Sequence, residues 1–454
     1  MSHIHEPARK TPIVHDCDLC VIGGSCTGVF AAVRAAQLGA TVALIEDNGF
    51  FGGVATAGLV NIWHSIYDTV GQQQIIGGLT VEIIERLRQR NAAVLYEASN
   101  ASRYAVFNSA ELVLALDELV REHSHIRPFL HTRFVQPVSE DGQMIAAIVE
   151  DKSGRRAIRA RYFVDASGDG DVIARMGLPT VRRDDLQPPT TCALLGGMDE
   201  VARQNPDFSL GRLVHDPQYP NALEQGFLWH SEVVGLPGAW MVAGTRVHGA
   251  DCSDADSLTA AEMAGRRQVR AIHDIVRDHT VGGRGVSLVA LPSYIGIRET
   301  RHAVCRHRLT EQEVLEGVRF PDAIANGSYR VDVHHSEKAG LTFRYLDGRE
   351  VYVLPGQPSV EGRWREERDH DPTFYQIPYR SLVPQGAQNV LVAGRLVDAD
   401  RGAYGAVRVM VNCNQTGEAA GVASALALQG DVPVERVDTG QLRSTLRELG
   451  AVCV

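Results

Sequence analysis

At 454 residues the chain has the length of about three domain-sized units and can bury an extensive core. Hydrophobic residues make up 44% and charged residues 22%, which excludes a disordered chain, and the formal charge of −10 comes with neither an acidic tail nor a basic stripe, which argues against nucleic acid or an anionic membrane as partner. The opening MSHIHEPARKTPIVHD has no apolar h-region and no later apolar run reaches membrane-spanning length, so a cytoplasmic protein is expected, with its eight scattered cysteines reduced.

Residues 17 to 46 read as one βαβ unit. An apolar strand runs to Ile22, followed by the turn Gly23-Gly24-Ser25-Cys26-Thr27-Gly28, an Ala-rich helix to Leu38, a strand from Thr41 to Ile45, and Glu46. Glycines permit a tight turn and close backbone approach, so that pyrophosphate oxygens meet free N–H groups at the helix N-terminus, and the acid closing the second strand accepts from the adenosine ribose hydroxyls. Asp47 is grouped with Glu46 at this site. Ser25 stands where the fingerprint has its second glycine, and its small side chain keeps the reading intact. An acid at 46 points to FAD or NAD rather than NADP. Cys17 and Cys20 lie on the first strand, where side chains three apart face opposite sides, so two unrelated cysteines are expected.

A plain NAD domain would continue with alternating strands and helices. Here a glycine-rich loop, Asn48 to Gly58, follows at once and makes Gly52, Gly53, Val54, Ala55 and Thr56 candidate contacts along a ligand extending toward an isoalloxazine. Glu46 with Gly52-Gly53 and Ala55-Thr56-Ala57-Gly58 resembles the FAD-dependent oxidoreductase family related to heterodisulfide reductase flavoprotein subunits. Three further segments match that pattern. Tyr162 to Asp171 is similar to the strand and glycine turn returning to the adenine side, with Ala166, Ser167 and Gly168 as contacts. Gly296 to Arg301 resembles the family's arginine motif, and Ile377 to Leu382, Asn389 to Arg395, Arg408 to Met410 and Gln415 to Gly421 its closing strand and helix. The resemblance implies bound FAD and redox chemistry, with Gly394 and Arg395 near the pyrophosphate and Val409 and Met410 near the flavin ring. A helix N-terminus near Asn412 to Gln415 would stabilise negative charge on the reduced flavin.

The fold class expected is α/β: a discontinuous FAD/NAD(P)-binding Rossmann-like three-layer domain with an inserted α+β substrate domain. Residues 14 to 80, 128 to 176 and 376 to 430 form the flavin domain. Residues 81 to 127 are a helical insertion with helices over Glu82 to Arg90 and Ser109 to Glu122, residues 177 to 375 a substrate cap with an amphipathic stretch from Thr259 to His279, and 431 to 454 a C-terminal extension.

Flavin supplies the electron chemistry, so the protein positions a substrate carbon, excludes water and provides a base. His64 follows the glycine loop and by position runs under the isoalloxazine, with a backbone-satisfied histidine as the alternative. Arg298 and Arg301, three apart, are candidates for a shared helical face clamping a carboxylate, or for structural ion pairs. His334, Tyr379 and Arg380 belong to segments matching the family. Neither His334-His335 nor the His302 to His307 spacing supplies a carboxylate-backed zinc set, so no metal is expected, and no Ser or Cys nucleophile has an evident base.

The expected activity is hydride transfer between a small polar organic substrate and flavin N5. An electron-transfer flavoprotein subunit of a larger redox complex and a non-catalytic flavin-binding protein remain the alternatives. The partners expected are a small-molecule substrate, an electron acceptor that the residues do not name, and a second copy of the chain or a redox partner subunit.

Overall fold

The computed structural model describes residues 3–97, 103–224, 227–335, 339–354 and 357–454. β1 (Ile13–Ile22), α1 (Cys26–Gln37) and β2 (Val42–Ile45) form the expected first unit. The sheet continues with β3 (Ile126–Phe129), β4 (Arg133–Glu140), β5 (Gln143–Asp151), β6 (Gly154–Asp165) and β7 (Val390–Val392), and α2 (Met410–Gly430) follows the last strand.

Five of these strands are parallel in the order β3-β2-β1-β6-β7. β4, β5 and β6 form an antiparallel meander, in which the first half of β6 pairs with β5 and its last three residues, Phe163–Asp165, pair with β7. The apolar runs Leu19–Ile22, Val42–Ile45 and Val390–Val392 are buried, as parallel strands covered on both faces require. The chain leaves β1 toward β2 on one side and returns to β6 on the other. That reversal opens a crevice at the carboxyl ends of β1 and β6, where α/β folds bind ligands.

One irregularity departs from the alternation of an ideal strand. The N–H groups of Asp18 and Leu19 both donate to Thr41 O, at 3.0 Å each, and Cys17 and Cys20 consequently pack in one apolar cluster as free, buried thiols.

α2 lies against α1 without side chains between them at two points. A Cβ on Gly417 would collide with Thr27 O, and one on Gly421 with Ala31 O. Beside this crossing Arg34 Nε donates to Glu418 Oε2 at 2.8 Å with both side chains buried, and Leu79 N–H donates to the same carboxylate at 3.2 Å. Glu418 thereby joins α1, α2 and the start of the helix Gly78–Gln89.

Over the crevice sits a four-stranded antiparallel sheet of Ala193–Gly196, Trp229–Glu232, Trp240–Ala243 and Ser287–Ala290, backed by the helix Ala255–His279. A second four-stranded sheet runs from Val331 to Arg363. The stretch 81 to 127 holds its helices, Gly78–Gln89 and Ser109–Arg121, and also the paired strands Ala93–Tyr96 and Tyr104–Phe107, which apolar helical spacing did not reveal.

The helix crossing makes a stability prediction. Gly417→Val should lower the unfolding free energy by roughly 3 kcal/mol, because Thr27 O belongs to backbone that cannot yield without moving α1. Gly430→Ala, at the open end of α2, should leave stability unchanged or slightly raised. Urea denaturation of both variants checks this, and equal effects at the two positions would contradict it.

Candidate active site

Gly23 has φ +104°, and a Cβ there would strike Ala166 O, so β1 and β6 end in backbone contact, reinforced by the Ala166 N–H donating to Ile22 O at 2.8 Å. Ser25 is the residue preceding α1, at φ −60°, ψ 172°, and its hydroxyl does not cap the helix. This conformation suits any L-residue. The close approach otherwise supplied by a glycine at 25 comes from across the neck: Gly53, at φ +58°, lies where a Cβ would come 2.7 Å from Ser25 Cβ.

The neck between them is about 100 Å³ and is lined by Ser25, Cys26, Thr27, Gly52, Gly53 and Gly394, among others. It is bounded mostly by backbone and small side chains at the N-terminus of a 12-residue helix, a setting suited to phosphate oxygens.

On one side the neck widens into a cleft of about 440 Å³. Glu46 lines it, accepting from Gly24 N–H at 2.7 Å and from Asn48 N–H at 2.8 Å. Burial pushes its carboxyl above the usual range, and these donors partly offset that. The far wall is the turn after β6. Buried Asp165 shapes it by accepting from the N–H groups of Ser167, Val172 and Ile173 at 3.0 to 3.2 Å.

On the other side the neck meets an inner chamber of about 310 Å³ lined by Val54, His64, Arg298, His334, Val409 and Met410, among others. Asp332 and His334 alternate on one strand and so reach it together, with His334 Nε2 3.4 Å from Asp332 Oδ1. Burial and then Arg330 draw His64 down to about 4. His334 is drawn well below its ordinary value by burial and then by Arg298, Arg246 and Arg408. Both rings are therefore neutral at physiological pH. A vestibule of about 730 Å³ lies outside, sharing His64, Tyr329 and Arg330 with the chamber as a common wall.

The structure brings together most of the residues expected here. Gly23, Ser25, Cys26, Thr27, Glu46, Asp47, Gly52, Gly53, Val54, Ala166, Ser167, Gly168, Gly394, Arg395, Val409 and Met410 line the connected cleft, neck or chamber. Gly24 and Gly28 lie behind that surface: a Cβ on Gly24 would meet Phe51 and Glu46, and one on Gly28 would meet Gly23 O. Ala55 and Thr56 shape the loop from within, Ala55 O accepting from Ser109 and the Thr56 hydroxyl donating to Phe51 O at 2.7 Å.

Three expectations are corrected. Tyr379 and Arg380 do not reach the cavities: the buried Tyr379 hydroxyl donates to Val434 O at 2.7 Å, and Arg380 Nε donates to Asp322 at 2.9 Å, both tying down the strand Tyr375–Pro378. Arg298 and Arg301 share no face, because their segment is extended rather than helical. Arg298 enters the chamber, whereas Arg301 faces the cleft and pairs with Asp171 at 2.9 Å. The closing helix begins at Met410, two residues before Asn412. Arg246, which lines the chamber, and Tyr294, which lines both cleft and neck, were not singled out in the sequence, where the only signal for the former is an arginine just past the apolar run Trp240–Ala243.

The glycine-lined neck, uncapped helix terminus and Glu46 fit FAD, and together with the β3-β2-β1-β6-β7 sheet they define a dinucleotide-cofactor protein of the flavin-binding class. The chain belongs to the FAD dependent oxidoreductase family, whose model matches residues 18–446. It is thus an FAD-dependent enzyme. No curated protein matches the sequence. Among solved structures it is similar to a geranylgeranyl bacteriochlorophyll reductase-like protein from Thermoplasma acidophilum, at 12% identity and TM-score 0.49, over 96% of this chain and 84% of that one. It is also similar to p-nitrophenol 4-monooxygenase from Pseudomonas putida, at 10% identity and TM-score 0.45 over 96% and 84%, and to PqsL from Pseudomonas aeruginosa, at 12% and 0.44 over 96% and 92%. Among the described residues no helix is long and apolar enough to cross a membrane.

Glu46→Gln would turn an amide NH₂ toward the donors of Gly24 or Asn48 and remove the charge. FAD titration of the apoprotein should then show affinity reduced about ten- to a hundredfold. Unchanged affinity would remove Glu46 from cofactor binding.

Proposed function

We propose that this oxidoreductase transfers a hydride between a small polar organic substrate and the N5 atom of its flavin. The observation that carries the reading is the convergence of His64, Arg298 and His334 on the chamber that also holds Val409 and Met410 at the start of α2. FAD bound along cleft, neck and chamber supplies the hydride acceptor or donor. The residues of the chain do the rest.

Arg298 orients the substrate, and its own position is fixed by donation to Pro188 O at 2.6 Å and to the Thr190 hydroxyl. His64 and His334, being neutral, each offer one ring nitrogen able to take a proton from a substrate hydroxyl or amine. Asp332 beside His334 steadies an imidazolium formed there. The common wall of His64, Tyr329 and Arg330 limits water, with the His64 and Tyr329 rings 5.1 Å apart between centroids.

The motifs' kinship to heterodisulfide reductase flavoprotein subunits belongs to this reading at the level of the flavin domain. The convergence of His64, Arg298 and His334 inside a chamber otherwise walled largely by apolar side chains favours a small substrate over an electron-transfer role in a complex. The proposal includes a cytoplasmic setting and an electron acceptor that is either a second small molecule or a redox partner subunit.

Anaerobic mixing of the yellow holoprotein with its substrate should bleach the flavin. His64→Gln and His334→Gln should retain FAD, and the variant lacking the proton acceptor should bleach about 10²- to 10⁴-fold more slowly. Holoprotein bleached by a redox protein and by no small molecule would replace this reading with the electron-transfer one. The pH profile gives a separate check. kcat/KM reports the free enzyme, and a base is lost on protonation, so with His64 at about 4 the acid limb should fall near that value. A limb at the ordinary histidine value that disappears in His64→Gln would contradict the chamber's electrostatics.

A further inference from the structure

Arg246, Arg298, Arg330, Arg395 and Arg408 line the inner chamber against a single acid, Asp332, among its described lining residues. Two of the five have carboxylate partners: Arg395 pairs with Asp169 at 3.0 Å and Arg408 with Asp332 at 3.2 Å. Arg330 lies over aromatic rings, 3.8 Å from the Phe343 centroid. Arg246 and Arg298 are held differently. Both donate to one oxygen, the Thr190 hydroxyl, which itself donates to Thr245 O at 2.8 Å.

Among the described residues, the other hydrogen bonds of these two guanidiniums go to carbonyls, Arg246 to Thr245 O and Phe227 O and Arg298 to Pro188 O. Arg246 is 3% exposed, and its Nε is buried without a hydrogen-bond partner. Two like charges have thus been drawn side by side around one neutral hydroxyl inside the protein, an arrangement that costs free energy unless an anion joins them. Burial, reinforced by Arg246 and Arg408, pulls Arg298 well below its ordinary range, and burial brings Arg246 down to about 10.

The cofactor leaves this imbalance in place. An oxidised isoalloxazine is uncharged, and the features suited to pyrophosphate, the α1 terminus and Arg395, are at the neck. We propose that the missing charge is the substrate's own, an organic carboxylate seated by Arg246 and Arg298 with Arg408 beside them and Thr190 as the positioning residue. This rests on the hydride-transfer reading, which selects a carboxylate over inorganic oxyanions because the substrate must also present a carbon for oxidation or reduction. Paired guanidinium forks match the planar carboxylate.

The test titrates holoprotein with acetate, pyruvate, succinate and benzoate, with sulfate and inorganic phosphate alongside, following the flavin difference spectrum and the melting temperature. At least one carboxylate should perturb the flavin saturably and raise the melting temperature. Arg298→Gln and Arg246→Gln should each weaken that binding about tenfold or more while FAD remains bound. Should an arginine variant fail to fold, Thr190→Val, which keeps the volume and removes the shared oxygen, should weaken binding, and Thr190→Ser should restore it.

Holoprotein that responds to none of the carboxylates, or that binds them equally well in the variants, overturns the seat. Response to sulfate or phosphate alone overturns the assignment to carboxylates. A carboxylate that binds through the arginines without changing the flavin's redox state leaves the seat standing, and the anaerobic bleaching experiment then decides the hydride-transfer reading separately. If the protein takes up no FAD, that reading fails on its own, and the melting shift of the apoprotein still reports on the seat.

Discussion

The crossing of α1 and α2 governs where everything else can be. With Gly417 against Thr27 O and Gly421 against Ala31 O, the two helices approach to backbone contact, closer than any residue with a side chain permits. α1 brings its N-terminus to the neck, and α2 brings its own to the chamber. The distance between these termini is therefore set by a rigid contact rather than by loops. Buried Arg34 and Glu418 lock the same crossing electrostatically, and Glu418 also receives the N–H of Leu79, so the helix that follows the glycine-rich loop is registered to it as well.

Charge is distributed along the cavities with a consistent logic. In the cleft one buried acid, Glu46, is held by backbone and amide donors. In the chamber guanidiniums outnumber acids, and the histidines stay neutral because burial, and then the nearby arginines, disfavour a further proton. A ligand that neutralises the arginines also lifts their repulsion from His334, so binding an anion makes that ring a stronger base. Asp332 lies between Arg408 and His334, within 3.2 Å of the one and 3.4 Å of the other.

Much of this was legible in the residues because it is local. The strand, glycine turn, helix and Glu46 lie within thirty positions, and their periodicity and spacing carry the reading directly. His334 was legible in part: its strand alternation with Asp332 is visible, but not what that face meets. Arg298 and Arg301 show how the wrong period misleads, since three residues apart means one side of a helix and opposite sides of an extended chain. Tyr379 and Arg380 sit in a matching motif, yet their partners, Val434 and Asp322, make them fasteners of a strand pair. Arg246 depends on Thr190 and Phe227, contacts that no local pattern encodes. Ser25 was read as tolerable because it is small, and the structure adds a contact the sequence hides: Gly53 leaves room beside it.

The position of β7 and α2 in the chain has a consequence for biogenesis. The glycine turn precedes both four-stranded antiparallel sheets in the chain, whereas the strand that covers the end of β6 and the helix that braces α1 follow them and emerge only after they have been translated. Until then the nascent protein carries an unpaired strand edge and an α1 face shaped for a partner not yet made. Such a topology folds late, through long-range contacts, and exposes apolar surface while it waits. That transient exposure is thus a property of the connectivity itself, separate from the stability of the finished enzyme.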